Sequence, residues 1–340
     1  MKAILLTQTG IPSEFNKNII IKDIDLPEIN SNEILVKINS ASFNRRDFFI
    51  AKGLYPKIKL PVVPGSDCAG IIHSFGKDVN EFERGDEVII NPGINWGSDE
   101  NFQSRYFKIL GMPDNGTFAE YVKINRSNVF KKPEHLDFDQ ASAIPLAGVT
   151  AFRSLFTKAK ITENDKVLIT GIGGGVSAFV LIFALKAGCE VFVTSGNDEK
   201  IKKAVSLGAK AGVNYNNSEW HKEINEISGN NLNVAIDSTG GNTLSNCMEI
   251  INPGGRIVSY GAGSGNVKEF NIFKLYWKQL QIFGSSMGSD MDFADMLKFI
   301  NENKIIPVID NVLSFEDFQK GFELLNSGSQ FGKIVLNLCK

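Results

Sequence analysis

From Val167 onward, the chain alternates short apolar runs with segments that have the length and periodicity of helices. The runs occupy residues 167–170, 191–194, 234–237 and 257–260. Strands that alternate with helical segments in this way are typical of βαβ units, whose strands join one parallel sheet. The sequence therefore predicts an α/β protein with a doubly wound parallel sheet in this part of the chain.

The first third of the chain has a different rhythm, with short strand-like stretches separated by Pro, Gly and Asn. These stretches cover residues 1–6, 19–24, 34–40, 69–75 and 87–91. Their spacing predicts a compact β-rich unit. A length of 340 residues also favours two domains over one.

The last part of the chain contains two helix-like segments, residues 291–303 and 315–327, followed by a closing strand at 334–338. That strand could extend the parallel sheet or return to the N-terminal β-rich unit. We expect it to return.

Charge and hydropathy exclude several classes of protein. With 36 Lys and Arg against 38 Asp and Glu, the chain lacks the broad positive field that nucleic-acid binding requires. The longest apolar run, residues 178–185, is far shorter than the roughly 20 residues that cross a bilayer, and residues 3–6 are too few for a signal-peptide core. The four cysteines are widely separated, which favours a reducing cytoplasm over a disulfide framework or a zinc clip.

A glycine-rich turn follows the first strand of the alternating region and opens an apolar helix. It contains Gly171, Gly173, Gly174, Gly175 and Val176. Glycines let a backbone approach a pyrophosphate closely, and the N–H groups that begin the helix attract its charge. Glycines also serve any tight strand-to-helix turn, but the order strand, turn, helix favours a dinucleotide.

The second strand of the region decides which dinucleotide is expected. An acidic residue at its end would bind the 2′-hydroxyl of NAD, but Ser195 and Gly196 stand there. The Ser195 hydroxyl and the Lys200 ammonium can instead bind a 2′-phosphate, which favours NADP(H) over NAD(H). The alternative is that Asp198 caps the next helix and Lys200 is a solvated helix residue.

The chain as a whole resembles the medium-chain dehydrogenase/reductases, most of all the zinc-independent, quinone-oxidoreductase-like and zinc-type alcohol dehydrogenase-like members. The resemblance runs from Met1 to Val335. The motifs that carry it, in order, are NRRD (44–47), GLYP (53–56), PGSDCAG (64–70), GDEV (85–88), GTFAEYV (116–122), IPLAGVTA (144–151), the glycine turn, NY (214–215), DSTGG (237–241), GGRIV (254–258) and GKIV (332–335).

This resemblance implies a GroES-like catalytic domain of residues 1–144 and 286–340, and a Rossmann domain of residues 145–285, with an active-site cleft between them. It also places Thr150 and Gly261 beside the nicotinamide and Tyr215 in the cofactor site. One departure is Ser177, where many members carry glycine, and we expect closer but workable packing there.

The resemblance also bears on metal binding. Zinc-using relatives carry a Cys at the position of Asn44, a His at Ser66, an acid at Asp67 and a Cys at Ala147. One surviving carboxylate cannot fix a tetrahedral zinc ion, and residues 91–116, which match the structural zinc lobe, contain no cysteine. We therefore expect no metal, and for Asp67 we favour a structural hydrogen bond or salt bridge over a catalytic role.

Without a Lewis acid, hydride transfer needs an acceptor that spreads charge by itself, such as a quinone or an α,β-unsaturated carbonyl. Tyr55 is the first candidate proton donor, because related reductases place an active-site tyrosine in this segment; a tyrosine packed at a turn is the alternative. Asn44 could bind a carbonyl oxygen, and Asp47 would orient neighbouring groups. Arg45 and Arg46 either contact an anionic substrate or are solvated on a surface turn.

Three functions and one assembly stay open at this point. The favoured function is NADPH-dependent reduction of a quinone or an enone, a small-molecule substrate. The alternatives are an enoyl-thioester reductase and a non-catalytic, redox-responsive NADPH-binding scaffold. A homodimer is expected from the resemblance, through edge pairing near residues 270–285, although ordinary burial within one sheet would also explain the apolar side chains there.

Overall fold

The computed structural model describes residues 1–339 and divides the chain into two compact units. One unit comprises Met1–Ala147 and the stretch that begins at Ser289, and the other comprises Gly148–Gly288. Each unit has its own sheet and its own apolar core.

The strands of both units are numbered in chain order. They are β1 (Lys2–Leu6), β2 (Ile19–Asp23), β3 (Glu33–Ser42), β4 (Asp67–Phe75), β5 (Glu87–Ile90), β6 (Gly93–Ile94), β7 (Lys108–Ile109), β8 (Tyr121–Asn125), β9 (Val129–Lys131), β10 (Lys166–Ile169), β11 (Glu190–Ser195), β12 (Ala211–Asn214), β13 (Val234–Asp237), β14 (Arg256–Ser259), β15 (Gln281–Gly284), β16 (Ile309–Ser314) and β17 (Lys333–Asn337).

The α-helices follow the same order along the chain. They are α1 (Phe15–Asn18), α2 (Arg45–Ala51), α3 (Phe138–Ser142), α4 (Pro145–Phe152), α5 (Gly175–Lys186), α6 (Asp198–Ser206), α7 (Trp220–Ile227), α8 (Gly241–Ile250), α9 (Ile272–Trp277), α10 (Asp290–Asn303) and α11 (Phe318–Ser327). The α4 helix continues as a π-helix over Arg153–Lys158.

The second unit is built on a six-stranded sheet in which every neighbouring pair is parallel. Its strand order is β12-β11-β10-β13-β14-β15. The order reverses between β10 and β13, and in sheets of this kind the crevice for a ligand lies outside the carboxyl ends of the strands at that point. The predicted doubly wound parallel sheet is confirmed, with the four predicted strands starting and ending within one residue of β10, β11, β13 and β14.

The first unit is built on a sheet of order β16-β17-β3-β4-β5-β9, with β8 also paired to β3. The closing strand β17 runs antiparallel to β3, with Val335 opposite Ser42 and Asn337 opposite Ser40. The predicted return of the final strand is therefore confirmed. The helix predicted from residue 315 begins at Phe318, because the Asp317 N–H bonds the Ser314 carbonyl and closes a turn first.

The structure also bears on the predicted absence of a disulfide framework and of a membrane-spanning segment. All four cysteines are free, and only Cys339 is exposed. Within residues 1–339, no helix has the length and apolar character required to cross a membrane. The cytoplasmic location stays a prediction.

Three glycine positions bring backbone segments of the first unit into direct contact. A Cβ on Gly116 would collide with the Gly65 carbonyl oxygen and would stand 2.6 Å from the Cα of Gly111. These are backbone atoms, so a side chain at residue 116 cannot be accommodated by rotating a neighbour. The contact fixes the segment that leads from Gly65 into β4.

We predict that Gly116→Ala lowers the free energy of unfolding by about 3 kcal/mol, at the upper end of ordinary overpacking. Chemical denaturation of both proteins measures the difference. Gly263→Ala is the matched control, because a Cβ there would have only an ordinary 3.7 Å contact. Equal stability of the two variants would contradict the prediction.

Candidate active site

The glycine turn in the second unit connects β10 to the helix α5. Gly171 and Gly173 have φ angles of +67° and +127°, values that a side chain would strain. Gly174 is the N-cap residue of α5, which begins at Gly175. A turn of this shape leaves the first N–H groups of a twelve-residue helix available to an anion, as a pyrophosphate requires.

Ser177 fits inside this turn. Its side chain is 1% exposed, and its hydroxyl oxygen accepts a hydrogen bond from the Gly173 N–H at 3.2 Å. The hydroxyl also lies 3.1 Å from the Gly174 carbonyl oxygen, to which it can donate. The serine thus holds the turn in shape where many relatives have only a glycine.

The candidate residues for the adenosine end gather beside the turn. The Lys200 ammonium lies 3.1 Å from the position that a Cβ on Gly173 would occupy. The Tyr215 ring packs against Gly196, with ring atoms and the hydroxyl 2.8–2.9 Å from where a Cβ on Gly196 would be. Ser195 is buried at the end of β11. The two predicted 2′-phosphate residues both lie beside the glycine turn, since the Ser195 hydroxyl is 3.4 Å from the Ile172 carbonyl oxygen and Lys200 packs against Gly173.

The cap of α6 differs from the expectation. In the alternative interpretation Asp198 caps this helix, but the Asn197 side chain does so by accepting hydrogen bonds from the N–H groups of Glu199 and Lys200. Asp198 is the first helical residue and binds the Asn214 amide at 2.7 Å. Lys200 is half-buried rather than solvated.

The two candidates for the nicotinamide end lie on separate elements. Thr150 is buried in α4. Gly261 follows β14, and a Cβ on it would stand 2.8 Å from the Ser238 carbonyl oxygen. Ser238 itself follows β13, so Gly261 lies at the carboxyl ends of the strands, on the edge of the sheet where the glycine turn lies.

A buried hydrogen bond that we did not anticipate joins β10 to β13 at this edge. The Thr170 hydroxyl donates to Asp237 Oδ1 at 2.6 Å, and Asp237 Oδ2 accepts the Gly240 N–H at 2.9 Å. Asp237 is the first residue of the DSTGG motif, and this motif was the one sequence feature that could have pointed to a role for Asp237. The bond fixes the point at which the strand order reverses.

In the first unit, Asn44 and Asp47 form the start of α2. Asn44 is the N-cap residue and is 7% exposed. Its N–H donates to Asp47 Oδ2 at 2.8 Å, while Asp47 Oδ1 accepts the Gly65 N–H at 3.3 Å. Asp47 is fully buried, and both oxygens are engaged with backbone N–H groups, so its carboxylate positions neighbouring backbone.

Asp67 forms a buried ion pair with Lys333, the first residue of β17. The Lys333 Nζ lies 3.0 Å from Asp67 Oδ2, with side chains 2% and 0% exposed. The same Nζ donates to Asn44 Oδ1 at 2.7 Å, and Asn44 Nδ2 donates to Asp67 Oδ2 at 2.8 Å. The salt bridge favoured for Asp67 is confirmed, but sequence analysis assigned no role to Lys333, although it lies in the GKIV motif.

Arg46 and Tyr55 pack against each other. The Arg46 guanidinium carbon lies 5.4 Å from the centre of the Tyr55 ring, within the range of a cation–π contact. Arg46 is 8% exposed and donates to Ser66 Oγ at 2.8 Å and the Leu110 carbonyl at 2.7 Å. The expectation of a solvated Arg46 is therefore wrong.

The donor set of this cluster does not fit zinc. The side chains at the four positions of the relatives' metal site are an amide, a hydroxyl, a carboxylate and a methyl group, and the carboxylate is paired with the Lys333 ammonium. Zinc requires thiolate, imidazole or carboxylate donors. Across residues 1–339, no group of three His, Cys, Asp or Glu side chains could hold a metal ion.

Two families match the chain in the order of its units. Residues 30–134 match the alcohol dehydrogenase GroES-like domain, and residues 175–302 match the zinc-binding dehydrogenase family. A crystal structure of an NAD-dependent alcohol dehydrogenase superposes with a TM-score of 0.92 at 34% identity, covering 99% of this chain and 100% of the other.

Curated relatives also align over nearly the full length. The zinc-type alcohol dehydrogenase-like protein YogA of Leptosphaeria maculans is 33% identical, covering 93% of each chain. The acryloyl-coenzyme A reductase of Sulfurisphaera tokodaii is 27% identical, covering 93% of this chain and 95% of its own. The quinone oxidoreductase of Rattus norvegicus is 28% identical, covering 99% and 98% respectively.

The buried carboxyl group of Asp47 makes the stability of the protein depend on pH. Burial raises the pKa of its carboxyl group to about 6, although the Arg46 charge and the Asn44 N–H oppose the shift. In the unfolded chain the carboxyl ionises near pH 4. Between these values the folded protein holds a proton that the unfolded chain has lost, so the contribution of Asp47 to stability falls as the pH rises from about 4 to about 6.

We predict that replacing this carboxyl group by an amide removes that slope. The free energy of unfolding of the wild type relative to Asp47→Asn should fall by about 2 kcal/mol between pH 4 and pH 7, most of the free energy that corresponds to a shift of two pKa units. Denaturant titrations across this range measure it, with exposed Asp25→Asn as control. A difference independent of pH would contradict the prediction.

Proposed function

Because this chain belongs to the medium-chain dehydrogenase/reductase superfamily of oxidoreductases, as its two matched domain families and its 33%-identical relative show, we propose that it is an NADPH-dependent reductase of quinones or α,β-unsaturated carbonyls. The observation that carries the proposal is the polar cluster around Asn44. In this cluster an amide and a hydroxyl stand where the family's metal ligands would be, and the Asn44 amide, which donates one N–H to Asp67, would donate its second N–H to a substrate oxygen.

The glycine turn supports the pyridine nucleotide. Because Gly173 and Gly196 have no Cβ, the Lys200 side chain and the Tyr215 ring respectively can lie directly against the backbone at these positions. When bound, NADPH supplies a hydride from its nicotinamide. The turn would hold the pyrophosphate, and Ser195, Lys200 and Tyr215 would hold the 2′-phosphate. These residues are the reason for preferring NADPH, although one similar solved structure is that of an NAD-dependent alcohol dehydrogenase.

The first-unit cluster supports a conjugated acceptor. Hydride addition to a quinone or an enone leaves negative charge on a carbonyl oxygen, and donors placed at that oxygen lower the barrier. The Asn44 amide would donate a hydrogen bond to it. Tyr55 would supply the proton and recover one from solvent; within residues 1–339, its hydroxyl has no hydrogen-bond partner, and its ring is fixed between Arg46 and the core.

Enoyl thioesters are the second candidate substrates. Two relatives, 27% and 28% identical to this chain, are acryloyl-coenzyme A reductases. A conjugated thioester accepts hydride in the same way and requires the same oxygen donors. The two candidates therefore differ in how the rest of the substrate binds.

We predict that the purified protein consumes NADPH with quinones or enones and not with saturated aldehydes, because only a conjugated acceptor spreads the charge without a metal. Absorbance assays across quinones, enones, enoyl thioesters and aldehydes test this, and turnover confined to enoyl thioesters would select the second candidate. Tyr55→Phe should lower kcat about 100-fold, whereas exposed Tyr106→Phe should not. Tight NADPH binding with no acceptor reduced would favour the non-catalytic scaffold.

Cofactor choice generates a second prediction. Lys200→Ala should weaken NADPH binding by about 10- to 100-fold, the value of a charged hydrogen bond, and leave NADH binding nearly unchanged. Fluorescence titration measures both dissociation constants. Lys202→Ala, an exposed lysine two residues on, is the matched control. Tighter binding of NADH than of NADPH by the wild type would overturn the assignment.

We also propose that the protein is a homodimer that pairs along β15, the last strand of the parallel sheet. The adjacent helix α9 exposes Phe273, Tyr276 and Trp277, which are 55%, 60% and 71% accessible, an apolar surface of the kind that partners cover. Ordinary burial accounts for Leu280 but not for these rings.

Light scattering at micromolar concentration should therefore give twice the chain mass for the wild type. Trp277→Glu should give the mass of one chain, because it places a charge in the apolar surface. Met291→Glu, which alters an exposed apolar residue on another helix, should stay dimeric. A monomeric wild type would contradict the proposal.

A further inference from the structure

The Lys333 ammonium lies among the residues that stand at the relatives' metal-ligand positions. It contacts the Asn44 amide oxygen at 2.7 Å and the Asp67 carboxylate at 3.0 Å. Building on the proposed function, we propose that Lys333 is a positioning residue that, together with Asp67, holds the Asn44 amide as a fixed donor to the acceptor oxygen. A buried cation would thus replace the organising role of the metal.

The chemistry of the three side chains sets the direction of the amide. A lysine ammonium has only donors, so it can face only the amide oxygen, and an ionised carboxylate has only acceptors, so it can face only the amide nitrogen. The observed contacts follow this rule at both ends of Asn44. Reversing the amide would place its NH₂ against the ammonium and its oxygen against the carboxylate.

This arrangement leaves one N–H of Asn44 for a ligand. An amide nitrogen carries two hydrogens, and Asp67 takes one of them. Within residues 1–339, the second has no acceptor. The cation on the amide oxygen also polarises the amide in the sense that strengthens its remaining N–H as a donor.

A purely structural ion pair is the competing explanation. Asp67 already accepts the Leu146 N–H at 2.8 Å and lies 3.3 Å from the Ser42 hydroxyl, so it has other partners. A lysine that served only to neutralise it would have no reason to act through Asn44. The two explanations therefore differ in whether Lys333 and Asn44 depend on each other in catalysis.

The test is a double-mutant cycle on the intact protein, with NADPH and the best acceptor from the screen. Lys333→Met and Asn44→Ala should each lower kcat about 10- to 100-fold, as loss of a supporting contact or a donor does. The double variant should be no slower than Asn44→Ala, and NADPH affinity should stay within about twofold, since a positioning role predicts coupling. Losses that multiply would overturn the proposal.

Lys333→Met leaves a buried carboxylate without its cation, which can prevent folding. The neutral pair Asp67→Asn/Lys333→Met removes both charges and keeps the volume. It should fold and still show the loss in kcat, whereas wild-type kcat in this variant would overturn the proposal. Lys333→Arg should recover part of the loss, and Lys320→Met, which breaks an exposed pair with Asp317, should have no effect.

A second measurement does not depend on any acceptor. With ¹⁵N-asparagine labelling, the Asn44 side-chain amide signals are identified by their absence in Asn44→Ala. In the wild type they should exchange with water more slowly than those of exposed asparagines, and in the neutral pair they should exchange at least tenfold faster. Fast exchange in the wild type would overturn the proposal, while slow exchange with no acceptor reduced would fault only the proposed function.

Discussion

A charged side chain that is buried away from water requires a partner of opposite charge close by, and this requirement determines the arrangement of the first unit. Asp67 is fully buried on β4, and its cation comes from β17, the strand that returns from the far end of the chain. The same pair determines which way the Asn44 amide faces. Backbone pairing between β17 and β3, the ion pair and the candidate oxygen-binding donor are thus parts of one arrangement, in which each element restricts the others.

The second unit has a different constraint, because the proposed anionic cofactor requires backbone N–H groups that no side chain covers. The strand order of its parallel sheet reverses between β10 and β13, and the Thr170–Asp237 hydrogen bond holds those two strand ends together. Glycines with positive φ then carry the chain from β10 into α5. The candidate anion site of this unit is formed by backbone at the glycine turn together with the side chains of Ser195, Lys200 and Tyr215 beside it, whereas the candidate site of the first unit is formed mainly by side chains.

The sequence anticipated those features that depend on local pattern. The central strands of the parallel sheet are continuous apolar runs, and the glycine turn and its helix are contiguous, so both were predicted. The edge strand β12 was not, because Ala-Gly-Val-Asn has little strand propensity. Lys333 was missed for another reason: its partner Asp67 lies 266 residues away, and no local pattern marks a lysine that will be buried. The burial of Arg46 was also not predictable from the sequence, since paired arginines beside a turn usually face water.

The distance along the chain between these partners also has a consequence for synthesis. Asn44 and Asp67 leave the ribosome first, and the lysine that completes their cluster follows 289 and 266 residues later. Until Lys333 has been synthesised, Asp67 lacks the cation that pairs with it in the folded protein, and β3 lacks its β17 neighbour. The candidate site of the first unit can therefore be completed only after residues 148–288, which form the second unit, have been synthesised.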